Sequence, residues 1–163
     1  MIESKIRGIP DLRDALLTIA PRLRKRALRN ALAAAGRVVR DAARQRVPIL
    51  NPMRPGNASA IARGIRKPGT VRKALVVRTS KTARRAGDVG VFVNVRPARG
   101  SDRGGKNPND PFYARWLQWG SNKMAGVHFL EAGAARLGDA LDVFLAKIGP
   151  AIEKLNTGPK AEP

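Results

Sequence analysis

The spacing of apolar positions changes period several times along the chain, and each period implies an element. From Pro21 to about Arg46, Leu28, Leu32, Ala35, Val39 and Ala42 recur in an i, i+4, i+7 rhythm, and Ala27, Ala31, Ala34 and Val38 widen the stripe. Side chains so spaced share one face of a 3.6-residue helix. Pro21 suits a first helical position, and the residue before Pro48 is pushed out of helical geometry. One long helix of about 25 residues, roughly 37 Å at 1.5 Å per residue, is predicted. Ahead of it Pro10–Ile19 predicts a short helix, with Asp11 and Asp14 near its start and Leu12, Leu16 and Ile19 on one face.

Farther on, the β-branched runs Ala74–Thr79 (ALVVRT) and Val89–Val95 (VGVFVNV) predict two strands, paired antiparallel around the basic turn SKTARRAGD. A final helix is expected from about Leu130 to Leu155. Leu137, Leu141, Phe144, Leu145 and Ile148 line one of its faces, and Gly149–Pro150 marks a point of breakage. The stretch from Leu50 to Thr70 is loop-like, with room for one helical turn at Ser59–Arg63. It reads as a basic arm that orders against a neighbour. Residues 97–111, dense in Gly, Pro, Asn and Asp, read as a mobile hairpin tip. Residues 51–68 and 97–111 are thus the flexible segments of a single domain over 1–155, and 156–163 form a disordered tail. The GGK at 104–106 lacks the GxxxxGK[ST] spacing of a phosphate-binding loop.

Charge adds what periodicity does not. The chain has 32 Lys/Arg against 12 Asp/Glu, a formal +20. Residues 1–86 hold 22 of the cations and 4 of the acids, and residues 87–163 hold 10 and 8. The first half is therefore expected to face a polyanion or an acidic protein. Opposite the apolar stripe of the long helix stand Arg22, Arg26, Arg29, Arg37, Arg40 and Arg44, with Ala33 the gap in the row and Asp41 the one acid nearby. Two readings stay open: a solvated face of an amphipathic helix, or a row whose mutual repulsion a bound anion relieves.

Several classes recede. A hydrophobic fraction of 43% is enough for a core, though much of it is Ala and Val. No apolar run approaches the roughly 20 residues that span a bilayer, so no membrane partner is expected. MIESKIRGIPDLRD lacks the apolar region of a secretory signal, and with no cysteine the cytosol is the simplest compartment. The lone His128 sits between Val127 and Phe129, Asp139 and Asp142 have no third ligand at hand, and no serine has a GxSxG context. No catalytic residue, metal or cofactor is expected, and the protein does not read as an enzyme.

Five of the seven aromatic residues fall within 112–129: Phe112, Tyr113, Trp116, Trp119 and Phe129. The spacing of three between Tyr113, Trp116 and Trp119 gathers them on a helical turn beside Leu117, and Gly120 marks a sharp turn after it. They read as core anchors, as a hot spot for a partner, or as a surface on which bases stack.

The order of segments resembles the head–tail joining proteins of long-tailed bacteriophages, the neck or tail-completion family. The residues that carry it are Pro48 after the long helix, GTVRKAL at 69–75, VGVFV at 89–93, YARWLQWGS at 113–121 and FLEA at 129–132. Where that family commonly has Glu before the aromatic-Gly turn, this chain has Gln118. The resemblance implies an α+β subunit whose antiparallel β-sheet packs against the long N-terminal helix and a C-terminal helix, with long basic loops. It implies a homo-oligomeric ring, favoured as a hexamer, in the virion neck, assembled in the host cytoplasm between portal-side and tail-side neighbours. Genomic double-stranded DNA would pass through it without base readout. Tyr113, Trp116, Trp119, Gly120 and Phe129 would then form the subunit interface, and the six arginines would face DNA or an acidic partner. The alternative is a nucleic-acid-binding protein, nonspecific or regulatory, that uses the arginine-rich helix.

Overall fold

A computed structural model describes residues 21–157 of the chain, so the helix expected at Pro10–Ile19 lies outside the described residues. The long helix α1 spans Pro21–Arg46. Arg44 and Arg46 in its last turn suit the negative end of the helix dipole. The Val47 amide still bonds to the Ala43 carbonyl at 3.2 Å before Pro48 ends the run.

Two further layers pack on α1. The helices α6 (Phe129–Ala134) and α7 (Leu137–Thr157) cover one side, and the strands β1 (Leu75–Thr79) and β2 (Val91–Val95) cover another. The strands pair antiparallel with Leu75 opposite Val95 and Val77 opposite Val93. The architecture is α+β, a small antiparallel sheet on a long N-terminal helix beside a C-terminal helix. Two apolar clusters hold it together. Toward the end of α1, Ala43 and Val47 meet Val71, Leu75, Ala114 and Phe129. Toward its start, Ala27 and Ala31 meet Ile148 and Ile152. Small side chains on α1 let its neighbours come close. A Cβ at Gly133 of α6 would lie 2.7 Å from the Val39 carbonyl oxygen.

The remaining elements are short: α2 (Asn57–Ala62), α3 (Thr70–Ala74), α4 (Lys81–Arg85), α5 (Ala114–Trp119), and the two-residue strands β3 (Gly120–Ser121) and β4 (Met124–Ala125). Several expectations change here. Ala74 closes α3 instead of opening a strand, and the basic turn between the strands contains α4, capped by Ser80 Oγ accepting the Ala83 amide at 3.2 Å. The segment 97–111 is not a hairpin tip, because the residues after it form α5 and no paired strand. It is gathered around Asp110, which accepts from the amides of Ala98 and Gly104. The arm at 51–68 includes α2, and its end is tied to the 97–111 loop where Thr70 Oγ1 donates to the carbonyls of Lys67 and Pro108.

The single C-terminal helix is instead two, parted at Ala135–Arg136, because α6 crosses close to α1 at Gly133 before α7 runs along it. The break expected at Gly149–Pro150 is absent, and α7 continues to Thr157, so the tail is helical at its first two residues. Gly149 has no Cβ to clash with the Pro150 ring, Pro150 is exposed, and the flanking Ile148 and Ile152 are buried against α1. The predicted apolar stripe holds at Phe144 and Ile148, but Leu137 and Leu145 are exposed and Ala140, Ala151 and Ile152 take their share of the packed face.

Candidate functional site

The aromatic residues of 112–129 divide into an inward-packed pair, Phe129 buried and Tyr113 partly buried, and an exposed group. Phe129 is 1% exposed and lies in the core with Leu75 and Val71, and Tyr113 packs against the same cluster. Phe129 therefore offers no surface to a partner, which corrects its place among the expected interface residues. Trp116 and Trp119 are 50% and 64% exposed, so they are not the core anchors that large rings usually are. The reason is helical geometry. On α5, Ala114, Leu117 and Gln118 point inward, which turns Trp116 and Trp119 out. Phe112 stands edge-on to both Tyr113 and Trp116, with centroids 5.4 and 5.7 Å apart. Trp119 meets His128 edge-on at 6.0 Å.

Backbone geometry fixes this corner. Gly120 has φ 88°, and a Cβ there would lie 2.8 Å from the Gly126 nitrogen and 2.9 Å from the Met124 oxygen, so the turn into β3 admits only glycine. The backbone of 117–118 then accepts from the amides of Val127 (2.7 Å) and His128 (3.2 Å). His128 sits in left-handed geometry at φ 50°, the one non-glycine residue to do so among the described residues. Gln118, buried at 3% exposure, braces the turn: its Oε1 accepts the Leu130 amide at 3.0 Å and its Nε2 donates to the Glu131 carboxylate. That donated bond holds the Glu131 carboxyl below its ordinary value, with His128, 3.6 Å away, adding a smaller effect.

An open groove of about 570 Å³ runs beside the corner, lined by Val95, Pro97, Phe112, Gln118, Trp119 and Leu130 among others. Asn94 also lines it, and the Asn94 Oδ1 is buried without a hydrogen-bond partner among the described residues.

The six-arginine row does not survive as one surface. Arg40 makes a two-point contact with Asp41, both bonds 2.9 Å, and these lower the Asp41 carboxyl. Arg44 turns under the sheet, where its Nη2 donates to the Leu75 carbonyl at 2.8 Å. Arg26, Arg29 and Arg37 are exposed and form no ion pair among the described residues, and the Arg22 side chain lies outside them. The row breaks because the sheet packs on a sector of α1 next to it: a Cβ at Gly36 would press Val77 at 2.9 Å. Sequence periodicity shows one apolar stripe, whereas α1 has a second packed sector at a glycine.

Missed by sequence reasoning were Asp110, buried at 2% exposure, and the cations of α4. Asp-Pro at 110–111 and the Ser80 cap were the available signals. Among the described residues no three His, Asp or Glu side chains converge to hold a metal ion, and no helix is long and apolar enough to cross a membrane.

These features define a small α+β protein organised on one long helix, with an exposed aromatic corner toward the end of that helix and a basic hairpin toward its start. No family model, curated protein or solved structure matches the chain.

Proposed function

We propose that the chain is a structural subunit of a tailed-phage neck, forming a ring, favoured as a hexamer, that joins the DNA-filled head to the tail. The observation that carries the reading is the aromatic corner. Phe112, Trp116, Trp119 and Met124 are each more than 40% exposed between the start of α5 and β4, beside an open groove. Exposed rings of this kind on a braced backbone are the usual centre of a protein interface. The order of segments supports the neck assignment, and a +20 chain suits a lumen traversed by DNA, where phosphate contact suffices. The subunit interface in this reading is formed by Tyr113, Trp116, Trp119 and Gly120, without Phe129.

Native mass at low and high salt, with and without random-sequence duplex DNA, tests the proposal. A ring-sized species, or a monomer that assembles only with portal-side or tail-side partners, supports it. A stable monomer or dimer that selects one DNA sequence overturns it in favour of a regulator.

A further inference from the structure

The hairpin of β1 and β2 lies along α1 and runs against it, and three close approaches fix its course. Arg44 meets the Leu75 carbonyl at 2.8 Å, Gly36 faces Val77, and a Cβ at Gly87 would lie 4.0 Å from Lys25 Nζ. From Arg44 to Lys25 is about 28 Å of helix. The hairpin tip therefore lands beside the start of α1. At 100° per residue, Lys25 and Arg29 lie within about 20° of the direction of Gly36, so both flank that tip.

The tip is basic on both elements. Residues 21–29 and 78–88 together hold nine Lys/Arg and one acid, Asp88. Lys25, Arg29, Arg78, Lys81, Arg84 and Arg85 are all exposed, and none forms an ion pair or side-chain hydrogen bond among the described residues. Folding brings these like charges from two distant segments together, which is unfavourable unless an anion occupies the space between them. The tip is also pre-shaped. Ser80 caps α4, and a Cβ at Gly90 would lie 2.9 Å from Ala83 Cβ, so α4 is folded tightly back on the strand. Presenting cations on an ordered element lowers the entropy cost of binding.

From this we infer that the phosphate-contacting surface of the protein is the hairpin tip together with the start of α1, and not the remainder of the arginine row at Arg37, Arg40 and Arg44. The ligand is the backbone of duplex DNA. The choice of duplex DNA rests on the neck reading; the location of the anion site does not. An acidic protein in the same place is the competing occupant.

The test uses the full chain and a fluorescent random-sequence duplex, with affinity read by anisotropy across a salt series. Lys81→Gln/Arg84→Gln/Arg85→Gln is compared with Arg37→Gln/Arg40→Gln, on the part of the row outside the start of α1. The tip variant should bind at least about tenfold more weakly at low salt, and its log K against log salt slope should fall by about 2 to 3, at roughly 0.9 for each phosphate no longer engaged. The row variant should change both far less. Arg84→Lys/Arg85→Lys, which keeps the charge, should keep the slope, and circular dichroism melts should coincide, since α4 contributes no buried residue. Equal or larger losses from the row variant, an unchanged slope in the tip variant, or tighter binding of polyglutamate than of DNA would each overturn the inference. Native mass of the same samples reads the neck proposal separately. A ring that ignores DNA sinks only this inference, and a stable monomer or dimer that selects one DNA sequence through the tip sinks only the neck reading.

Discussion

Gln118 and Glu131 are joined side chain to side chain across the turn that leads from the aromatic corner into the last helices, and the same amide group accepts the Leu130 N–H at 3.0 Å. A single buried amide thus uses one donor and one acceptor to fix where α5 ends and α6 begins. A carboxylate at 118 would keep the acceptor and lose the donor.

Gln118→Leu leaves the Leu130 amide without its acceptor and should cost about 1–3 kcal/mol, lowering the melting temperature by roughly 2–4 °C per kcal/mol. Glu131 makes this pH-dependent. Its folded-state value is below the ordinary 4.5, so its stabilising contribution is full above 4.5 and lost as pH falls through the lowered value. The gap in melting temperature between the wild type and Gln118→Leu should therefore be widest at neutral pH and narrow in acid. Gln118→Glu should also be destabilised at neutral pH and recover in acid, when one of the two carboxyls is protonated.

Asp110 organises the 97–111 loop through the Ala98 amide at 3.0 Å and the Gly104 amide, and these two bonds hold its carboxyl below the usual value. Asp110→Ala removes both acceptors and should cost about 2–3 kcal/mol. Trypsin should then cut after Arg99 and Arg103 faster than in the wild type. Unchanged cleavage with an unchanged melting temperature would remove Asp110 from that role.

Gly120→Ala forces a Cβ against two backbone atoms at 2.8 and 2.9 Å in a positive-φ turn. A loss of about 1–3 kcal/mol is expected. Gly138→Ala is the control, because a Cβ there meets nothing within 4 Å inside α7, and a small gain of up to about 1 kcal/mol is expected. Thermal melts of the two variants should move in opposite directions.

Trp116→Ala and Trp119→Ala remove exposed rings and should leave the monomer's melting temperature within the shift of about 1 kcal/mol, while Phe129→Ala empties the core and should cost about 3–5 kcal/mol. In sedimentation velocity the tryptophan variants should lose any ring-sized species. Rings that persist in the double variant would exclude the corner as the interface.

Local information was legible in the order of residues. The bounds of α1 follow from Pro21, Pro48 and a regular apolar stripe, and the two valine-rich strands and their antiparallel pairing follow from β-branched runs about a turn apart. The aromatic cluster and its glycine were visible as composition. Each of these is recorded in the spacing and composition of one continuous stretch of sequence.

What tertiary structure decided was which side of each element is covered. The sheet settles on α1 at Gly36, a position that carries no apolar signal, and so it draws Arg44 inward and breaks a row that periodicity presents as continuous. The inward places on α5 go to Ala114, Leu117 and Gln118, which leaves two tryptophans outside. Lys25 and Gly87, sixty-two positions apart, become neighbours only when the hairpin folds back along the helix. Helical and strand periods are properties of the backbone and repeat locally; burial depends on what arrives from elsewhere in the chain, and no local period encodes that.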